Sequence, residues 1–124
     1  VKLNISRHED ADKALLRIEL SGGLNTDTAP ELDRILADSI AADWQMVLLD
    51  MRHLEYISSA GLRVVFKAAK ALKGDGRSLA VTNRQPQIEK VFEILQALPD
   101  MAVFSNEKEL DAYLDAMQAR VRGD

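Results

Sequence analysis

The stretch Leu48-Leu49-Asp50-Met51-Arg52-His53-Leu54-Glu55-Tyr56-Ile57-Ser58-Ser59-Ala60-Gly61-Leu62-Arg63 decides the reading of this chain. Its apolar start predicts a buried strand, its middle a short polar loop, and Ser58-Ser59 the opening of an amphipathic helix. Ser is a preferred N-cap because its hydroxyl accepts from a first-turn N–H. Two hydroxyls therefore stand at a helix N-terminus, where unpaired N–H groups and the positive end of the macrodipole favour negative charge. Capping by Ser58 or Ser59 accounts for a Ser-opened helix. The distinctive feature is the whole pattern, D-x-x-x-L-x-x-I-S-S-A-G-L-R.

Downstream, Leu62, Val65, Phe66, Ala69 and Leu72 form one apolar stripe of a helix from about Ser59 to Lys73, with Gly74 as a natural stop. Asp75-Gly76 is a turn, and Ser78 to Thr82 reads as a strand. Asn83 to Leu98 is a helix with Ile88, Val91, Phe92 and Leu95 on one face, ended by Pro99-Asp100. Ala102-Val103-Phe104 reads as a short last strand. Ser105 or Asn106 then caps a last helix bearing Leu110, Leu114, Met117 and Val121, which either packs on the sheet or projects as a tail.

Upstream, Met46-Val47-Leu48-Leu49 is a continuous apolar run, the mark of a strand covered on both faces. Trp44 just before it is expected in the core or at its edge. Lys2 to Ser6 alternates, Arg7 to Lys13 is a polar turn, and Ala14 to Leu20 is a second strand, so the two predict a hairpin. Ser21-Gly22-Gly23-Leu24-Asn25 breaks that strand. Thr28 and Glu31 have capping-box spacing, and Leu32, Ile35, Leu36 and Ile40 form the stripe of the helix they open. The resulting order is β-β-α-β-α-β-α-β-α. It predicts an α/β domain with a mainly parallel sheet of four to five strands and about four helices. Residues 1–124 are expected to form a single domain.

Composition narrows the functional classes. Of 124 residues, 47% are apolar and 29% charged, as in an ordinary globular domain, and the formal net charge of −4 is the wrong sign for a nucleic-acid footprint. The absence of cysteine excludes disulfides, thiolate catalysis and Cys-ligated metal, and suits a reducing compartment. No apolar run reaches the roughly 18 residues of a membrane span, and Val1 to Ile5 lacks signal-peptide order, so a cytoplasmic setting without membrane contact is expected. The chain opens on Val1, which suggests numbering that starts inside a longer precursor.

Catalysis finds little support. His53 lies near the Ser pair, so a Ser–His dyad is conceivable, but no Gly precedes the Ser as a nucleophile elbow requires. A plain loop position for His53 is the simpler reading. His8, Glu9, Asp10 and Asp12 match no metal-loop spacing and fit a solvated turn. No phosphate loop or dinucleotide fingerprint occurs. Neither catalytic residues nor a metal or cofactor is expected.

The residues do resemble a known family. The turn Ser58-Ser59-Ala60-Gly61-Leu62 between a strand and a helix is similar to the signature of STAS domains of the anti-sigma-factor antagonist group. Leu20-Ser21-Gly22-Gly23-Leu24-Asn25, followed by Thr28-Ala29, resembles that family's upstream segment, and the β/α order agrees over essentially the whole chain.

The resemblance implies a STAS-like fold and a protein–protein switch. It implies an anti-sigma factor that is also a serine kinase of the histidine-kinase-like ATPase type, and a serine phosphatase that resets the system. The unphosphorylated form would bind the anti-sigma factor and release the sigma factor. The acceptor position, two residues before the Gly, falls on Ser59, with Ser58 as second choice. Asn25, Thr26, Asp27, Ser58, Gly61, Leu62 and Arg63 would border the partner surface, Gly61 by admitting close backbone approach. Ser58 and Asn25 stand where the family commonly has Asp, which removes negative charge near Ser59. Ser59→Asp is expected to weaken partner binding and to change stability little, since Ser58 remains available to cap the helix and Asp also caps well. The alternatives are a STAS-type scaffold or lipid-transport accessory adaptor without a phosphoswitch, and an esterase-like use of Ser59.

Overall fold

A computed structural model describes residues 2–97 and 107–123. β1 (Leu3–Asp10) and β2 (Leu15–Leu24) flank a single 3-10 turn at Ala11–Lys13. There follow α1 (Ala29–Ala41), β3 (Met46–Ile57), α2 (Ser59–Gly74), β4 (Ser78–Thr82), α3 (Pro86–Ala97) and α4 (Glu107–Arg122). The four strands form one sheet in the order β1-β2-β3-β4.

The sheet is mixed, which corrects the expectation of a mainly parallel one. β1 runs antiparallel to β2 over eight residue pairs, while β2–β3 and β3–β4 are parallel. The hairpin continues past the apolar alternation: Arg7 to Asp10 stay in β1 because each still finds a ladder partner, from Arg7↔Ile18 to Asp10↔Leu15. Among the described residues the order closes on two helices, α3 and α4. The expected strand Ala102–Phe104, the stop at Pro99-Asp100 and the cap at Ser105 or Asn106 lie outside the described residues.

Gly22-Gly23 is not a break. β2 passes through both glycines, and Gly22 has φ 103, a left-handed value that glycine adopts without strain. A Cβ there would lie 2.1 Å from the Lys2 carbonyl oxygen, so the backbone just ahead of β1 can approach only a glycine. β3 also outruns its apolar core, because the stretch read as a polar loop pairs with β2. Two register shifts, between Glu19 and Ser21 and between Gly22 and Gly23, each leave one extra residue on β3. Such bulges reset the two-residue alternation. Val47, Leu49 and Met51, then Leu54, then Ile57 therefore all face the core.

Those residues pack with Leu16, Ile18 and Leu20 of β2 and with apolar residues of all four helices in a single cluster. The other face of the sheet stays partly open. Leu48 is half-buried and Met46 is 39% exposed, so β3 is covered fully on one face only. Leu62, Val65 and Leu72 of the α2 stripe are buried, Ala69 is half-buried, and Phe66 is exposed with its ring edge against Phe92. Trp44 is half-buried at the core's margin.

Candidate functional site

The parallel strands β2 and β3 end side by side at the pair Leu24↔Ile57, and Ser58 N–H donates to the Leu24 carbonyl at 2.8 Å. Two segments leave from there: the loop Asn25 to Thr28 and the start of α2. Open α/β sheets commonly bind ligands beyond the carboxyl ends of their strands, where connections diverge.

Ser58 is the N-cap of α2. Its backbone is extended, and its hydroxyl oxygen accepts the Gly61 N–H at 3.2 Å. Ser59 is the first helical residue, 6% exposed, and its buried hydroxyl has no hydrogen-bond partner among the described residues. The two serines thus divide the work that the sequence left shared between them: one ties down the helix, the other does not.

In the adjoining loop, Asn25 Oδ1 accepts from the backbone N–H groups of Asp27 (2.9 Å) and Thr28 (3.0 Å). An Asp carboxylate could accept the same two bonds, so Asn25 keeps the loop's shape while lacking the charge. Thr28 does not complete the expected capping box. Its hydroxyl donates to the Gly23 carbonyl (2.8 Å) and accepts from Asn25 N–H (2.9 Å), tying the loop back to β2.

Thr26, Asp27 and Arg63 are exposed, and Asn25 is half-buried. Thr26, Pro30, Asp33, Ala60, Arg63 and Lys67 line a shallow groove between α1 and α2, crossed by the Lys67–Asp33 ion pair at 3.1 Å. Gly61 and Leu62 belong to the interior. A Cβ on Gly61 would meet Leu24 Cγ at 2.6 Å, and Leu62 is 2% exposed. The missing side chain of Gly61 is therefore used for packing α2 onto the strand ends.

α4 completes the site, and the sequence reading missed its part. Asp111 Oδ1 accepts the Ser59 N–H at 2.8 Å. Gln118, wholly buried, accepts the Ile57 N–H at 3.0 Å and donates to the Ile57 carbonyl at 2.8 Å. The Tyr56 hydroxyl donates to the Asp115 carboxylate. Burial, then this bond and the charges of Asp115 and Asp111, push the Tyr56 hydroxyl well above its usual range. Asp111, Asp115 and Gln118 recur at helical spacing beside the stripe Leu110, Leu114 and Met117. That second, polar stripe was the available signal.

His53 is on β3 and lines a polar depression on the open sheet face with Arg17, Glu19, Asp50 and Asn83. The Ser59 N–H is taken by Asp111 of α4, and among the described residues the Ser59 hydroxyl bonds to no imidazole, so the Ser–His dyad has no geometry behind it. In that depression, burial alone would raise the Asp50 carboxyl. The Arg52 N–H, the Asn83 amide and the charges of Arg52 and Arg17 outweigh it and hold Asp50 below the usual carboxylate range. Among the described residues no three His, Asp or Glu side chains converge as metal ligands, and no helix is long and apolar enough to cross a membrane.

The STAS domain family model matches residues 3–110. "Putative anti-sigma factor antagonist BtrV" of Bordetella bronchiseptica is 40% identical over 75 residues, which span 60% of this chain and 65% of that protein. The crystal structure of an anti-sigma factor antagonist from Mycobacterium paratuberculosis superposes with a TM-score of 0.70 at 17% identity, covering 98% of this chain and 95% of that one. The phosphorylated form of the Bacillus cell fate determinant SpoIIAA gives a TM-score of 0.61 at 17% identity, covering 77% and 86%. At these identities the two structures attest the fold.

Proposed function

The chain belongs to the STAS domain family, and from that premise we propose that it is an anti-sigma-factor antagonist switched by phosphorylation of Ser59. Unphosphorylated, it binds a partner that is both anti-sigma factor and serine kinase of the histidine-kinase-like ATPase type, so that the sigma factor is released. A serine phosphatase resets the switch, and the exchange takes place in the cytoplasm. The exposed residues Thr26, Asp27 and Arg63, with Asn25 and the groove between α1 and α2, form the docking surface.

The observation that carries this reading is the division between the two serines. Ser58 spends its hydroxyl on the helix cap, whereas the Ser59 hydroxyl has no partner among the described residues. In the transfer, Ser59 Oγ forms a bond to the γ-phosphorus of ATP, the bond from that phosphorus to the bridging oxygen breaks, ADP leaves, and the hydroxyl proton passes to a base of the partner kinase. The product carries about −1.5 to −2 charges, which a docking partner must desolvate or repel.

The burial of Ser59 favours a second reading, an adaptor of the same fold with no phosphoswitch. One experiment separates the two. The partner kinase, recovered by pull-down from the native cytoplasm, is incubated with ATP and the chain, and phosphopeptides are mapped. Modification at Ser59, lost in Ser59→Ala with partner binding retained, supports the switch. Modification at Ser58 alone, or full binding by stoichiometrically phosphorylated protein, overturns it.

A further inference from the structure

α4 lies across the junction between β3 and α2. Leu110, Leu114 and Met117 anchor it in the core, while Asp111, Asp115 and Gln118 meet the junction itself. Beneath them Ser59 is 94% removed from solvent by its 6% exposure, with its hydroxyl unbonded. A hydroxyl stranded in this way is a destabilising feature. Over it, the Asp111 carboxylate takes the first N–H of α2, at the end of the helix where an anion is favoured.

We propose that α4 is a strap over the switch serine, with Asp111 in the seat that a phosphate on Ser59 would take, so that strap docking and Ser59 modification exclude each other. The proposal rests on Ser59 being the acceptor. Its first consequence is kinetic. A nucleotide γ-phosphate must approach Ser59 Oγ in line, which a closed strap forbids. Transfer therefore proceeds from the strap-off form, at a rate reduced by that form's small population.

The second consequence follows transfer. A phosphate on Ser59 competes with the Asp111 carboxylate for the Ser59 N–H and sits against it. Like charges held that close oppose re-docking. Modification thus turns a transient release of α4 into a lasting one. A partner then reads two things at once, the charge at position 59 and the place of α4.

The chain has no cysteine, so Ser59→Cys supplies a single thiol as a reporter at the covered position. Its rate of reaction with an aromatic disulfide reagent is measured in the parent background and with α4 loosened by Gln118→Ala or, more conservatively, by Tyr56→Phe. The expected result is at least tenfold acceleration in one or both. Equal rates in all three proteins overturn the strap. In a second arm, phosphoserine is installed at position 59 during translation and amide hydrogen exchange is followed. Exchange across residues 107–122 should be at least tenfold faster than in the unmodified chain, with α1 and β2 protected as before. Unchanged protection of α4, or protection lost throughout, overturns the exclusion. Neither arm uses a kinase, so failure here is distinct from failure of Ser59 to serve as the acceptor.

Discussion

Gln118 pairs with Ile57 as an additional strand would: its amide accepts the Ile57 N–H at 3.0 Å and returns a bond to the Ile57 carbonyl at 2.8 Å. A helix side chain thereby satisfies the last two backbone groups of β3, at a depth where water does not reach Gln118. Gln118→Ala strands both groups and should cost about 2–6 kcal/mol, since each buried unpaired backbone group costs about 1–3 kcal/mol. Urea denaturation measures it, and a loss under 0.5 kcal/mol would show the pairing to be dispensable.

Gly61→Ala is the next test. On an open helix surface the change gains roughly 1 kcal/mol. Here the new methyl would lie 2.6 Å and 2.9 Å from two carbons of Leu24 and 3.1 Å from Ile57 Cγ1, all of them in the buried cluster. Net destabilisation of about 1–3 kcal/mol is expected from overpacking. A raised melting temperature would contradict the tight contact.

The two serines should differ when each is replaced by Ala. Ser58→Ala removes a capping bond and should cost about 1 kcal/mol. Ser59→Ala removes a buried hydroxyl that bonds to nothing, and should leave stability unchanged or raise it by up to about 1 kcal/mol. Paired thermal melts decide, and equal losses would mean that the cap is shared.

Asp50 sets a pH dependence. Its carboxyl is held below the ordinary 3.8 in the folded chain, so the unfolded state binds the proton first as pH falls. The stabilisation is therefore fully present above pH 3.8 and is lost as pH drops through the lower, folded value. Asp50→Asn should be less stable than the parent at neutral pH, with the gap narrowing below pH 3.8. A gap that is constant with pH would assign the effect to geometry and not to charge.

How far the sequence could be read depends on the range of the interactions. The start of α2 at Ser58-Ser59 and the buried stripe Leu62, Val65 and Leu72 are local matters of capping and period, and both were readable. The extent of β3 was not, because two bulges interrupt its alternation and make Asp50 to Tyr56 look like a loop. The glycines of β2 were misread for a related reason: a close neighbour, the Lys2 carbonyl, decides their conformation. The role of α4 was out of reach of any apolar period, since Asp111 and Gln118 act across more than fifty residues of chain. Ser59→Asp shows the consequence. Read locally, it adds a good cap and is near neutral. In the fold Ser58 keeps the cap, as expected, but the new carboxylate would be added beside Asp111, which already holds the Ser59 N–H.

The two bulges of β3 also give the strand slack. Each carries one residue more than β2 needs opposite it, so the chain can lose a residue there without turning any later side chain to the wrong face. Removing Arg52 would flatten a bulge and leave Leu54, Ile57 and the two serines aimed as they are. Removing Leu48, in the regular part, would turn Val47 or Leu49 out of the core. Within β3 the loss of a residue is therefore absorbed at these two bulges and not in the regular part, and the length of the strand is free to vary where its aim is not.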